Sequence, residues 1–265
     1  MIILDEDDAI LTLWRYGTEA GISDPDSFKD LPLDNPVAFR GMTKFRVVNE
    51  CRISGRDFYY IDTGYLGNCG KRKNYHRVVK NDVQHTSPIL VPSDRFEKIL
   101  KVSTKSFYKR QWNKQGSNIL LVTPSEKPCK FYGITRDNWV KNTLEKLKNH
   151  TDRKIIVRDK PIRRERIGNK SIFNQLDEDD IYAVVTYNSI AATEAVSYGI
   201  PAFADAPINA AKSVCSNDFT KIEDPYYPDR TQVDNWLHWL AYCQYTTSEL
   251  KDGTAYKIQE EFNLC

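Results

Sequence analysis

Apolar residues in the second half of the chain fall into short unbroken runs separated by stretches of helical spacing. Ile119–Thr123, Lys154–Arg158, Ile181–Thr186 and Ile200–Ala204 have the length and content of buried strands. Between them, Arg136–His150 puts Trp139, Val140, Leu144 and Leu147 on one face of a helix. Ser171–Leu176 reads as a short helix, and Ile190–Tyr198 as another closed by Gly199. Apolar strands alternating with helices predict a parallel sheet covered on both faces. In the first half, Val37–Gly41 reads as a strand ending in glycine. Met42–Ile53 follows as a helix with Phe45, Val47, Val48 and Cys51 on its apolar face. The aromatic run Asp57–Asp62 is then a strand before the turn Thr63-Gly64, which makes a β-α-β unit that delivers Asp62 to a loop.

The remaining segments are less regular. Tyr75–Val79 is a further strand, and residues 94–110 open with helical spacing at Phe96, Ile99 and Leu100. Residues 1–35 are acidic, interrupted by Gly17, Gly21, Pro25 and Pro32, and read as loop-rich. Val233–Tyr245 carries Trp236, Trp239 and Tyr242 at i, i+3 and i+6, a stripe that more often packs a core than binds a ligand. A break in composition at Gln115-Gly116-Ser117 divides the chain into 1–115 and 116–265, an α/β protein of two parts.

Composition narrows the class. No run approaches 18 apolar residues, so no transmembrane helix and no membrane partner are expected. Met1–Asp8 is acidic where a secretory leader is basic, and the six scattered cysteines include no CxxC and no histidine at zinc spacing. Both features predict a cytoplasmic protein with reduced thiols. Charge is segregated along the chain. Residues 1–39 hold 2 basic and 9 acidic residues, residues 40–115 hold 17 and 6, and the rest hold 19 and 21. The basic block is interleaved with Tyr75, His76, Phe107, Tyr108 and Trp112. That pattern predicts a surface for a polyanion, with stacking as well as neutralisation; the alternative is a solvated lysine-rich face.

Ligands of parallel sheets bind beyond the carboxyl ends of the strands. Three such ends are polar here: Thr123-Pro124-Ser125; Arg158-Asp159-Lys160-Pro161, with Arg163, Arg164 and Arg166 behind it; and Thr186-Tyr187-Asn188-Ser189, which opens a small-residue helix. Asn188 or Ser189 suits the N-cap. Free N–H groups at that helix start, with Arg158 beside them, would take a phosphate. Glu194, about one turn in, would accept from sugar hydroxyls; the plain alternative is a capped helix with a solvated glutamate.

The stretch Val185–Phe203 resembles the donor-binding half of GT-B glycosyltransferases. It is most similar to the capsule-polysaccharide-synthesis type, with Ser189, Glu194-Ala195 and Gly199-Ile200-Pro201 in the matching places. Arg158–Pro161 is similar to the basic strand end of that half, and Tyr227–Arg230 with Trp239–Tyr245 resembles phage-encoded members. The resemblance covers about residues 118–250. It implies a GT-B-like fold of two Rossmann-like halves, with a reduced acceptor domain (1–115) and a parallel-sheet donor domain with a C-terminal helix (116–265). It further implies a nucleotide-sugar co-substrate, UDP- or CMP-linked, with no metal or other cofactor. Donor contacts would come from Thr123, Ser125, Arg158, Lys160, Arg163, Thr186, Asn188, Ser189 and Glu194.

Asp62 is the candidate general base, with an Asx turn as its plain alternative and His76 and His85 as other candidates. Arg40, Tyr65, Lys71, Arg72, Lys73, Tyr75 and Arg77 are the candidate acceptor contacts. Joined to the basic block, the resemblance favours transfer to a hydroxymethylated pyrimidine of double-stranded phage DNA, with the base flipped out of the helix. A capsule-type glycan acceptor and a non-catalytic DNA-binding protein on a degenerate GT-B fold are the competing expectations.

Overall fold

In the computed structural model, residues 1–68, 74–103, 106–166 and 170–264 are described, with the backbone alone for Thr43, Arg163 and Arg166. Strands β1 (Ile2–Ile3), β2 (Gly21–Ile22), β3 (Val37–Arg40), β4 (Phe58–Thr63) and β5 (Tyr75–Lys80) belong to a first sheet. Strands β6 (Asn118–Val122), β7 (Ile155–Arg158), β8 (Ile181–Thr186) and β9 (Ala202–Ala204) form a second. A last strand, β10 (Gln244–Thr246), returns to the first sheet, whose order is β10-β5-β4-β3-β1-β2. There β1 to β4 run parallel, and β5 is antiparallel to both β4 and β10. The second sheet is parallel throughout in the order β7-β6-β8-β9. The helices are α1 (Ala9–Thr18), α2 (Phe45–Ser54), α3 (Asp94–Val102), α4 (Glu126–Tyr132), α5 (Arg136–Lys148) and α6 (Arg163–Arg166). They continue with α7 (Ile172–Glu178), α8 (Ala191–Ser197), α9 (Arg230–Tyr242), α10 (Thr247–Lys251) and α11 (Thr254–Phe262).

Alternation along each strand sorts side chains to opposite faces. On β4, Tyr59 and Ile61 join the core under α1 and α10, whereas Phe58 and Tyr60 join the core under α2. On β6, Ile119 and Leu121 face the α5 side, and Leu120 and Val122 face the largest core. That core also holds Tyr65, Phe96, Trp236 and Trp239, so one apolar body runs continuously from one half into the other. The stripe Trp236, Trp239 and Tyr242 is core, as its spacing predicts.

Three expectations need correction. The acidic N-terminus is not loop-rich: Asp8 caps α1, accepting from the Ile10 and Leu11 N–H groups, and Leu11 and Trp14 bury its apolar face. The segment 94–110 is helical only over Asp94–Val102. Residues 116–265 do not all lie with the second sheet, because β10 pairs with β5 and α10 packs on α1. Between those last two helices a β-carbon on Gly17 would fall 2.1 Å from the Leu250 carbonyl oxygen, so only glycine allows this approach. No helix among the described residues is long and apolar enough to cross a membrane.

Candidate active site

The order β7-β6-β8-β9 reverses direction between β6 and β8, and ligands of such sheets bind at that switch point. A cleft of about 450 Å³ lies there, with the end of β4 and the loop after it as its opposite wall. The three polar strand ends do converge: Thr123, Ser125, Arg158, Lys160, Asn188, Ser189 and Glu194 all line it, and Asp62, Thr63, Gly64 and Tyr65 line the first-sheet side.

On the second-sheet side the polar groups are held by neighbours. Arg158 donates to Gln175 Oε1 and to the Lys170 carbonyl (2.8 Å), which fixes its guanidinium at the cleft wall. Thr123 Oγ1 donates to Asp159 Oδ1 at 2.8 Å, and Arg136 pairs with the same carboxylate. Lys160 is exposed. The helix start differs from expectation. Ile190 occupies the N-cap position of the seven-residue α8, and Ser189 Oγ accepts from the Ala191 N–H at 3.2 Å. One of the free donors is therefore already met by the protein itself. Ser125 stands at the N-cap position of α4 without a side-chain capping bond. Thr186 is a correction: it is fully buried, and its hydroxyl donates to the Val122 carbonyl at 3.2 Å, pinning β8 to β6. It has no surface to offer a donor. Arg163 lies in α6, with its side chain outside the described residues.

On the first-sheet side, Asp62 is one-third exposed. Its Oδ1 accepts from the Thr63 N–H of the next residue (2.7 Å), whereas the Gly64 N–H that an Asx turn would use donates to the Tyr75 carbonyl, and Oδ2 accepts from the Tyr60 hydroxyl (2.8 Å). Arg77 approaches Oδ2 at 3.4 Å and donates to the Thr63 carbonyl at 2.8 Å. Its guanidinium also lies over the rings of Tyr60 and Tyr65. Burial works against the charge on Arg77, but Asp62 together with Tyr65 and Tyr60 outweighs it, and its pKa sits above the ordinary value. Burial, and then the neighbouring Asp62 charge, push the Tyr60 phenol well up. Asp62 is thus a carboxylate set in a fixed orientation beside a buried cation. His85 is fully buried, with Nδ1 3.1 Å from the Tyr65 hydroxyl. Desolvation and then the charge on Arg77 lower its pKa to about 3. His76 is buried as well. Neither histidine lines the cleft.

The expected polyanion-binding face is only partly at the surface: Arg46, Lys98, Lys101, Arg110 and Lys114 are exposed and Tyr108 and Trp112 half-buried, but other members are turned inward or paired. Tyr75, His76 and Phe107 are buried, so they cannot stack on bases. Tyr65 lines the cleft but is only 4 % exposed. Arg77 is the buried partner of Asp62 rather than a surface cation. Arg40 pairs with Asp8 at 2.8 Å, away from the cleft lining. Arg56 donates to the carbonyls of Leu31, Pro32 and Asn35, Arg95 pairs with Glu249, Lys80 with Glu260 and Lys109 with Asp177. The block is basic in sequence, but acids from both ends of the chain fold back onto it. Lys71, Arg72 and Lys73 lie outside the described residues. Among the described residues, no group of three or more His, Cys, Asp and Glu is placed to hold a metal ion.

The candidate residues that sequence reasoning missed are Tyr60, which bonds Asp62 across one strand position, and Gln84, which lines the cleft from the loop after β5. The spacing of Tyr60 and Asp62 at i and i+2 on one strand face was the available signal for the first. The second has no local signature.

No protein-family model matches the chain, and no curated protein does. Among solved structures it is similar to the β-Kdo 2,4-transferase of KpsC from Thermosulfurimonas dismutans. The TM-score is 0.54 and the identity 12 %, over 90 % of this chain and 89 % of that one. The β-Kdo 2,7-transferase of the same protein matches at a TM-score of 0.46 and 12 % identity, over 97 % and 98 %. The first of these likenesses shows a shared α/β fold along nearly the whole length of both chains.

Proposed function

We propose that the protein is a GT-B-like glycosyltransferase that moves a sugar from a nucleotide-sugar to an acceptor hydroxyl in the cleft between its two halves. The observation that carries this reading is the cleft itself, with an oriented carboxylate on one wall and cations with hydroxyl and amide groups on the other. The neighbour of like fold, named a Kdo transferase, supports the reaction class. In the proposed reaction the acceptor oxygen attacks the anomeric carbon and Asp62 takes the hydroxyl proton. The bond from that carbon to the phosphate oxygen breaks, and the leaving phosphate keeps the electron pair and the negative charge. Lys160 and Arg158 are the cleft cations assigned to that charge, and Ser125, Asn188 and Ser189 are assigned to hydrogen-bond it. Glu194 accepts from hydroxyls of the donor. The division of labour is a donor half around the second sheet and an acceptor wall from the first.

A glycan acceptor is favoured over DNA, because three of the five aromatic residues meant to stack on bases, Tyr75, His76 and Phe107, are buried, and many of the block's cations are paired within the protein. The DNA version leans on Lys71, Arg72 and Lys73 together with the exposed cations Arg46, Lys98, Lys101, Arg110 and Lys114. Duplex DNA that binds at 50 mM salt with a steep salt dependence would restore it.

Thermal shift with CMP and UDP tests the main reading. A nucleotide at a hundred times its Kd adds about 2.7 kcal/mol to the native state, and silence from both nucleotides overturns the assignment. Asp62→Asn should retain that nucleotide shift and lose transfer; an active variant would remove Asp62 as the base.

A further inference from the structure

Gln84 lies in the loop that follows β5, on the first-sheet side, and is 6 % exposed. Both ends of its side-chain amide are committed to the other half of the molecule. Nε2 donates to the Asn188 carbonyl at 3.1 Å, and Oε1 accepts from the Ala210 N–H at 3.0 Å. These partners leave no freedom in the amide: only its NH2 can meet a carbonyl, and only its oxygen can meet an N–H. A buried amide left without partners is costly, so the bonded arrangement is strongly preferred to an open one.

The two backbone sites are strategic. Asn188 belongs to the turn 187–190 between β8 and α8, which carries Asn188 and Ser189 to the cleft. Ala210 belongs to the segment after β9, where its carbonyl accepts from Trp236 Nε1 at 2.8 Å. The same two loops are tied to each other by the Ala206 N–H donating to the Tyr187 carbonyl at 2.9 Å. Gln84 therefore closes a loop of bonds that runs from the first sheet, through the turn at the end of β8, to α9 and back into the shared core.

We propose that Gln84 is a positioning residue: it sets the turn 187–190 from the first-sheet half, so that the second-sheet wall of the cleft is complete only when the two halves are docked. The claim about the turn stands on these bonds alone; its effect on nucleotide binding rests on the donor reading given above.

The test is hydrogen exchange on the full chain of the wild type and of Gln84→Met, which keeps the length and removes both bonds. Titration calorimetry with CMP and UDP accompanies it. The expected result is at least tenfold faster exchange for amides in 187–194 with those of β6 unchanged. The nucleotide that binds the wild type should bind at least tenfold more weakly. Unchanged exchange in 187–194 overturns the proposal, and so does an equal loss in β6, which would make Gln84 a general stability residue. If the wild type binds neither nucleotide, the transferase reading fails while the exchange result still decides the role of Gln84. Should Gln84→Met not fold, native-state exchange of the wild type in low urea replaces it. Segments 82–86 and 187–191 should then open together, and separate opening isotherms overturn the proposal.

Discussion

Gly17→Ala asks whether the C-terminal helices truly return onto the first half, because the expected sign of its effect reverses with the answer. Within α1 alone, alanine in place of glycine would gain about 0.5–1 kcal/mol, since glycine gives up more backbone freedom on folding. In the folded chain the new β-carbon would stand 2.1 Å from the Leu250 carbonyl oxygen and 2.8 Å from the Gly253 nitrogen. Carbon and carbonyl oxygen settle no closer than about 3.3 Å, so α1 and α10 would have to part by about 1 Å. Both obstacles are main chain, and neither can rotate away. Overpacking of this kind costs about 1–3 kcal/mol; taking the upper end and subtracting the helix gain leaves a net loss of about 2 kcal/mol. At about 2–4 °C per kcal/mol for a chain of this size, the melting temperature should fall by roughly 4–8 °C. Urea unfolding should show a lower midpoint at unchanged m. A rise in stability would mean that α1 is not covered there, and would refute the packing of α10 and α11 on the first half.

Other expectations follow from single contacts. Burial pushes the Glu249 carboxyl up, but hydrogen bonds from Arg95 and from the Thr246 N–H more than offset this and hold it below its ordinary 4.5. Its stabilising effect is therefore present above about pH 4.5 and lost as the pH falls through the folded value. Glu249→Gln should cost about 1.5–3 kcal/mol at pH 7 and flatten the acid limb of a melting-temperature profile; parallel profiles would count against the pair. His85 is held neutral down to about pH 3, whereas the unfolded chain takes up its proton near pH 6.5. Stability measured in urea should thus decline as the pH falls from 6.5 to 5, by up to about 1.4 kcal/mol per pH unit from this one proton. His85→Asn should remove that share of the slope, and an unchanged slope contradicts it. Arg158→Ala should weaken binding of whichever of CMP or UDP binds, by about 1.5–3 kcal/mol in calorimetry, if its bond to phosphate is charge-assisted.

What could be read in advance depended on how local the cause was. The second sheet was legible because each strand is apolar on both faces and each helix is periodic within its own few turns. Its cleft followed from the rule that ligands meet strand ends. The helix α1 was hidden by a glycine and a run of acids, although Asp8 ahead of Ile10, Leu11, Leu13 and Trp14 was a cap before an apolar face. Gly17 broke the reading because it serves a neighbour more than 230 residues away, not the local backbone. The basic block misled for the same reason. The acids that neutralise Arg40, Lys80, Arg95 and Lys109 lie 32 to 180 positions along the chain, and no local window contains them. Asp62 was visible at the end of a strand, but the arginine that flanks it looked like any other member of a charge run.

The strand β10 has a consequence for how the molecule is made. During vectorial synthesis the ribosome releases β1 to β5 long before residue 244 emerges, so β5 waits with one open edge while the whole second sheet is translated. A nascent chain in that interval offers a free template for β-pairing. Arrested chains ending before Gln244 should accordingly be more prone to misassociation than the released protein, and quality control would meet this chain mainly at its unfinished edge.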